Sequence, residues 1–212
     1  TSFVKNADYI IIGSGLVGIN AAISLKMLDP ESDVLVVEKH GFPTGASTRN
    51  AGFACFGSAT ELLYDMHHRS ADETFKLLAQ RFNGLEFLRK RATDTQLKYK
   101  KVGGYEVFDK EIDVSNEYAI HLNYLNEQIE DQTGLENTFT IEESPYSFKN
   151  LNSNVIFNQH EGCLHPGMMM SHLYEKAVAN GVRILPGNHV HGVKDEGNHV
   201  KVQLEQGAIT AR

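Results

Sequence analysis

The chain has 212 residues, of which 41% are hydrophobic, and a formal net charge of −7 at pH 7. This apolar content suffices for a core, and the scattered lysines and arginines exclude a nucleic-acid groove, because phosphate binding needs concentrated positive charge. Small molecules or proteins are therefore the expected partners. No apolar run approaches a membrane span, the N-terminus lacks a secretory pattern, and Cys55 and Cys163 stand far apart, so we expect a cytoplasmic protein.

The first elements of the chain predict a strand, a helix and a second strand. Residues 8–12 (DYIII) are continuous and β-branched, as in a parallel strand buried on both faces. A helix is predicted from Leu16 to Leu28, because Pro30 disfavours helix at the residue before it. Residues 33–39 (DVLVVEK) give the next buried strand. The three elements together predict a right-handed βαβ unit with adjacent parallel strands.

The remaining elements follow from periodicity and turn residues. A polar loop without secondary structure is expected over residues 41–58, and Ser70 with Glu73 forms a plausible capping box within a helical region. The other predicted elements are helices over 59–92, 116–131 and 168–180, the last ended by Gly181; a hairpin around Gly103 and Gly104; a strand near 154–159; and short strands within 182–187, 189–197, 199–207 and 208–212.

Three glycines separate the first strand from the first helix. Gly13 permits a tight turn, Gly15 lets a pyrophosphate approach the backbone at Leu16, and Gly18 lets helix and strand pack closely. Glu38 ends the next strand and can accept hydrogen bonds from ribose hydroxyls, which favours FAD or NAD over a 2′-phosphate. The alternative is that these are ordinary turn glycines and that Glu38 is a solvated strand end.

The loop after the second strand is rich in small and polar residues. It reads GASTRNAG from Gly45 to Gly52, and follows Glu38 and Lys39. Small residues let backbone lie against a flat ring, Ser47 can bond phosphate, and Arg49 supplies positive charge. A flexible surface loop is the alternative. The loop resembles that of the D-amino-acid oxidase superfamily of FAD-dependent oxidoreductases, in particular its glycine oxidase, sarcosine oxidase and amine oxidase branch.

A second stretch of the chain carries the same resemblance. The sequence from Gly162 to Val193 is similar to the family's turn, helix and strand that bracket the adenine, and Val190 matches the bracketing residue. The resemblance implies FAD as the cofactor. Its predicted binding residues are Gly13, Gly15, Leu16, Gly18, Glu38, Lys39, Ser47, Thr48, Arg49, Asn50, Ala51, Gly52 and Val190.

The resemblance also implies an architecture and an activity. We expect an α/β fold, with an incomplete Rossmann-like FAD-binding domain of parallel sheet over residues 1–83 and 161–212, and part of an α+β substrate lobe over 84–160. The expected reaction is dehydrogenation of a C–N bond in an amino acid or amine by hydride transfer to flavin. Oxidation of a 2-hydroxy acid or glycerol phosphate, and a non-catalytic nucleotide-binding role, stay open. The remainder of a longer enzyme is expected C-terminal to Arg212.

Several reactive side chains give weaker indications. No metal site is predicted, because His67 and His68 are adjacent on a helix and point in different directions. His189 and His191 are interpreted as structural or exposed, and Cys55 as a small buried hydrophobe. No catalytic side chain can be assigned, since flavin chemistry requires no side-chain nucleophile.

Overall fold

The structure is a computed structural model that describes residues 5–205 and 207–212. Gln206, which falls in a predicted strand, lies outside the described residues. The elements are β1 (Asn6–Ala7), β2 (Tyr9–Ile12), α1 (Leu16–Leu28), β3 (Val34–Val37), α2 (Ala46–Arg49), β4 (Phe53–Ala54), α3 (Ala59–His68), α4 (Ala71–Arg91), α5 (Asp94–Leu97), β5 (Gly104–Glu106), α6 (Val114–Thr133), β6 (Phe139–Glu143), β7 (Asn154–Asn158), β8 (Gly162–Cys163), α7 (Pro166–Ala179), β9 (Arg183–Leu185), β10 (Val190–Asp195), β11 (Val200–Leu204) and β12 (Gly207–Ala211).

The chain forms two compact units. Unit 1 comprises the chain up to Ala51 together with His165–Arg212, and unit 2 comprises Gly52–Leu164. Residues 52–83 thus belong to unit 2 by their contacts. The compact units assign no function to either part, so the domain boundaries after residues 83 and 160 stay predictions. Within the described residues, no helix is both long enough and apolar enough to cross a membrane.

Unit 1 contains a parallel sheet with strand order β2-β3-β9. The predicted βαβ unit is confirmed, since β2 and β3 pair in parallel on either side of α1. All four residues of β3 are buried. The expectation that β2 is buried on both faces is wrong: Tyr9 is 44% and Ile12 53% exposed, because β2 lies at an edge of this sheet.

A second sheet completes unit 1. Its strand order is β1-β12-β11-β10, and the last three strands form an antiparallel meander. The predicted strand near the end of the chain is confirmed as β12. The side chains of Leu35, Val37, Val202, Leu204 and Ile209 form a common apolar cluster. This cluster ties the meander to the parallel sheet through their shared core.

Unit 2 packs three helices, α3, α4 and α6, with an antiparallel sheet of order β5-β7-β6. The predicted hairpin around Gly103 and Gly104 is wrong, because β5 pairs with β7 and the ring of Phe157 fills the space beside Gly103. The loop predicted without secondary structure contains α2 and β4, and β4 pairs with β8. Cys55, predicted to be buried, is exposed.

Local signals fixed several helix ends. The capping box of Ser70 and Glu73 is present at the start of α4. His165 caps α7, where its Nδ1 accepts a hydrogen bond from the Met168 backbone N–H at 3.2 Å. Gly181, with φ of +83°, follows the end of that helix as predicted. Left-handed backbone of this kind favours glycine after a helix.

We expect Gly84→Ala to stabilise unit 2. Gly84 lies within the 21-residue helix α4, is exposed, and has open space where a Cβ would stand. Glycine costs a helix interior about 0.5–1 kcal/mol relative to alanine, so the free energy of unfolding should rise by about that amount. The check is a higher urea midpoint at an unchanged slope. Gly134→Ala is the matched control: its site is equally open, but φ of +74° should make alanine destabilising there.

Candidate functional site

The turn between β2 and α1 uses its glycines in different ways. Gly13 has φ of +92°, and its N–H donates to the Val37 carbonyl at 2.8 Å, which joins the turn to β3. A Cβ on Gly18 would stand 2.0 Å from the Gly13 carbonyl oxygen. Gly13 therefore provides the left-handed turn, and Gly18 the close approach of helix to strand.

Gly15 stands at the start of α1 and faces Ser47. A Cβ on Gly15 would lie 3.0 Å from the Ser47 Oγ, and that oxygen accepts a hydrogen bond from the Leu16 N–H at 2.9 Å. The hydroxyl of Ser47 thus satisfies one of the N–H groups that the first turn of a helix leaves without an intrahelical partner. The same oxygen can still donate its hydrogen to an anion at this helix end, where the partial charge is positive.

Glu38 is 7% exposed and closes the site from β3. Its Oε2 accepts hydrogen bonds from the Ser14 backbone N–H at 3.0 Å and from the Ser14 hydroxyl, and its Oε1 accepts from the His40 N–H at 3.0 Å. Burial alone raises the pKa of Glu38, but these hydrogen bonds outweigh burial, so the pKa lies below its usual value. The carboxylate is therefore ionised at neutral pH, and Oε1 keeps acceptor capacity for a further donor.

These groups line one cavity of about 390 Å³ in unit 1. Its walls combine bare backbone, hydroxyl groups, a carboxylate and the N-terminal end of a 13-residue helix. This donor set fits the diphosphate and ribose of a dinucleotide, because backbone N–H groups favour phosphate and the carboxylate favours ribose hydroxyls. The lining residues are Gly13, Ser14, Gly15, Glu38, His40, Pro43, Thr44, Gly45 and Ser47.

The structure brings only some of the predicted cofactor residues to this cavity. Thr48 bonds within its own loop, where its hydroxyl donates to the Pro43 carbonyl at 2.9 Å, and the Asn50 amide donates to the Ala46 carbonyl at 3.0 Å. Gly18 packs against the Gly13 carbonyl and is not among the described residues that line the cavity. Lys39, Arg49, Ala51, Gly52 and Val190 are not among the described residues that line the cavity. Their cofactor roles stay predictions.

Three residues at or near the site were not predicted from the sequence. Ser14 and His40 hold Glu38 in place, and Tyr174 of α7 lies close enough to Glu38 that burial and that charge both raise the pKa of its phenol. Ser14 could have been identified from the sequence, because it lies between the motif glycines Gly13 and Gly15. Nothing in the sequence brings α7 to this turn, since the contact spans most of the chain.

His189 and His191, on either side of the first residue of β10, lie near Glu205, which directly follows β11. One possible ligand atom from each residue lies within 4.8 Å of the others, and the two imidazole ring centres are 4.5 Å apart. The two histidines were interpreted as structural or exposed, and no pattern in the sequence indicated that Glu205 lies beside them. His191 and Glu205 are exposed, and the absence of a metal site stays a prediction.

We expect Glu38→Gln to destabilise unit 1 in a pH-dependent way. The NH2 group of glutamine cannot accept a hydrogen bond, so the donors of either Ser14 or His40 would lose their acceptor. The free energy of unfolding at pH 7 should therefore fall by about 1.5–3 kcal/mol. Because the folded pKa is lowered, the carboxylate stabilises the fold above its unfolded pKa and loses this effect as pH falls through the folded pKa.

The check is urea unfolding of wild type and variant from pH 7 to pH 3. The difference between them should shrink at the acid end. Glu31→Gln, which changes an exposed carboxylate in the turn before β3, is the control and should change little. A difference that stays constant with pH would contradict this account of Glu38.

Comparison with known proteins gives a consistent family. A family model described as DAO, FAD dependent oxidoreductase, matches residues 8–212. A curated relative from Haemophilus influenzae, named probable oxidoreductase OrdL, is 23% identical over 220 residues, which are 99% of this chain and 48% of the relative. The chain therefore spans about half the length of this relative.

Solved structures of similar fold cover 97–100% of this chain. Glycine oxidase from Bacillus cereus ATCC 14579 has a TM-score of 0.66 and 20% identity, covering 97% of this chain and 54% of that one. L-Amino acid deaminase from Proteus myxofaciens, in complex with anthranilate, has a TM-score of 0.64 and 19% identity, covering 100% and 45%. L-Proline dehydrogenase from P. horikoshii has a TM-score of 0.64 and 18% identity, covering 99% and 52%.

Proposed function

Because the chain belongs to the DAO family of FAD-dependent oxidoreductases, we propose that the protein binds FAD in the cavity of unit 1 and dehydrogenates a C–N bond of an amino acid or amine. The observation that carries the proposal is the bare backbone at Gly13 and Gly15, which meets Ser47 and Glu38 in one cavity. Glycine oxidase, amino acid deaminase and proline dehydrogenase among the similar structures favour C–N over C–O substrates.

Each part of the cavity has a task toward FAD. The N–H groups of the turn and of α1 stabilise the negative charge of the diphosphate, and Ser47 donates to one of its oxygens. Glu38 accepts from the ribose hydroxyls with the capacity left on Oε1. The loop from Gly45 to Gly52, with Arg49, is proposed to run toward the flavin ring, where small residues permit close approach.

The cofactor and the protein would contribute different parts of the reaction. Bound FAD supplies the acceptor for a hydride from the substrate carbon next to nitrogen. The protein's residues bind and orient FAD, and no side-chain nucleophile is needed. The two thiols, Cys55 and Cys163, are free, which is in keeping with the proposal of a reducing, cytoplasmic compartment.

The test is a visible absorption spectrum followed by anaerobic addition of substrates. We expect a yellow protein whose colour is bleached by amines or amino acids. Hydroxy acids and glycerol phosphate are the matched comparison, and bleaching by these alone would replace C–N with C–O chemistry. A stable yellow colour with every compound would favour a non-catalytic nucleotide-binding role.

A further inference from the structure

Unit 2 contains a cavity of about 230 Å³ of its own. It lies where the strands β5, β6 and β7 meet the segment that leads into α3, and Phe53, Tyr105 and Ile156 give it apolar walls. Sites for drug-sized ligands span about 300–1,000 Å³, so this cavity suits a smaller molecule. Its polar groups indicate which molecule that is.

Two buried polar atoms in this cavity have no hydrogen-bond partner within the described residues. They are the Asn158 Nδ2 and the Glu161 Oε1. Asn158 is 4% exposed, and its Oδ1 accepts from the His160 N–H at 2.9 Å, which fixes the amide so that Nδ2 is the free atom. A buried polar atom without a hydrogen-bond partner is unfavourable, so a ligand that bonds to both atoms is stabilised by them.

The carboxylates around the cavity differ in the groups that stabilise their negative charge. Glu106 accepts from the Ala59 N–H, and from the Thr60 N–H at 3.2 Å, at the start of α3. Glu61 forms an ion pair with Arg81 at 2.8 Å. Glu161 accepts only backbone N–H groups, and the described lining includes no lysine, arginine or histidine. Glu106 also has no cation beside it, but both of its oxygens accept hydrogen bonds. Glu161 is therefore the carboxylate in the cavity that has neither a cation nor a partner for its Oε1.

We propose that this cavity binds a small ammonium compound that also carries an uncharged oxygen, such as an amino alcohol. The ammonium donates to Glu161, and the oxygen accepts from the Asn158 Nδ2. An oxygen that carried a negative charge would be repelled by Glu61, Glu106 and Glu161. The proposal goes beyond the proposed function, since it concerns unit 2 and does not require that the ligand be oxidised.

The ionisation of Glu161 couples binding to pH. The pKa of Glu161 is raised to about 7, mainly by burial. The negative charges of Glu106 and Glu61 raise this pKa further, whereas hydrogen bonds from the backbone N–H groups of Phe56 and Gly57 lower it. The other polar residues that line the cavity are Cys55, Ser58, Tyr105 and Asn158. An ammonium favours the ionised carboxylate, so affinity should rise about tenfold from pH 6 to pH 8.

The experiment is a ligand-observed NMR titration of the purified protein with ethanolamine. Ethylamine lacks the oxygen and ethylene glycol lacks the ammonium, so each is a matched probe for one of the two atoms. We expect ethanolamine to bind at least tenfold more tightly than ethylene glycol, which lacks the hydrogen bond to the charged carboxylate, and about two- to tenfold more tightly than ethylamine, which lacks only the weaker neutral hydrogen bond to Asn158. Binding of no probe, or equal binding of ethylene glycol, overturns the proposal.

Variants test the role of Glu161 itself. Glu161→Gln keeps the shape and the acceptor for Phe56 and Gly57, and should weaken ethanolamine at least tenfold and remove the pH dependence. Glu143→Gln changes an exposed carboxylate on β6 outside the cavity and should bind as wild type does. Wild-type affinity in Glu161→Gln would overturn the proposal, and if that variant does not fold, the probe series on the wild-type protein decides.

This titration measures binding and does not depend on oxidation of the ligand. Flavin chemistry is read separately, by visible absorption. A protein that is yellow and is bleached by substrates, yet binds no ethanolamine, rejects the cavity proposal alone. A colourless protein that binds ethanolamine at pH 8 rejects the flavin proposal alone.

Discussion

Gly15→Val is expected to give a folded protein that has lost its flavin. The backbone at Gly15 has φ of −66° and ψ of −177°, which valine adopts readily, so the substitution places no strain on the turn. Its Cβ would stand 3.0 Å from the Ser47 Oγ, and the added methyl groups would occupy the cavity where the diphosphate is proposed to lie. We expect flavin content to fall at least tenfold, measured as visible absorbance relative to protein absorbance.

The control for this experiment lies in the same unit but outside the cavity. Gly192→Ala adds a Cβ where nothing stands within 4 Å and should keep its flavin. Far-UV circular dichroism of both variants separates loss of flavin from loss of fold. Normal flavin in a folded Gly15→Val protein would show that the diphosphate does not lie against this backbone.

The first βαβ unit could be predicted from the sequence because its determinants are local. The bounds of α1 were predicted at the residues observed, Leu16 and Leu28, since a glycine turn precedes the helix and Pro30 follows it. The parallel pairing of β2 and β3 follows from the helical crossover between them. The exposure of Tyr9 and Ile12 could not be predicted, because it depends on the position of β2 in the sheet.

Pairings between distant segments could not be predicted from the sequence. Gly103 and Gly104 were interpreted as a hairpin, yet β5 pairs with β7, about fifty residues further along the chain. β6 lies where no strand was predicted, and its pairing with β7 stabilises it as a strand. Strand propensity depends on such partners more than helix propensity does, and neither partner is visible in a local window.

The candidate site was predictable in its motif but not in its orientations. Gly13, Gly15 and Glu38, which the motif spacing indicated, line one cavity with Ser47, which the following loop indicated; their roles toward a cofactor stay predictions. Thr48 and Asn50 match the family's loop equally well in sequence, but their side chains bond to carbonyl groups of that loop. A motif fixes which residues are present, whereas hydrogen-bond competition within the short helix α2 decides where they point.

Gly18→Ala is expected to destabilise unit 1 by about 3 kcal/mol, at the upper end of the cost of overpacking. The new Cβ would stand 2.0 Å from the Gly13 carbonyl oxygen and 3.2 Å from the Gly13 carbonyl carbon, and backbone atoms cannot move aside as the end of a side chain does. To relieve the contact, α1 would have to move away from β2, and so withdraw its buried residues Ile19 and Ile23 from the core.

This result would oppose helix propensity, which makes the test discriminating. Alanine is favoured over glycine in a helix by about 1 kcal/mol, and the same substitution at Gly84 is expected to stabilise α4. Urea unfolding with hydrogen exchange of α1 measures the effect in unit 1, and Gly192→Ala, where nothing stands within 4 Å, serves as the control within the same unit. If Gly18→Ala were as stable as wild type, α1 could move away from the turn without loss of stability. The fold would then not require the close contact between Gly18 and Gly13 that positions the Gly13 and Gly15 backbone for a diphosphate.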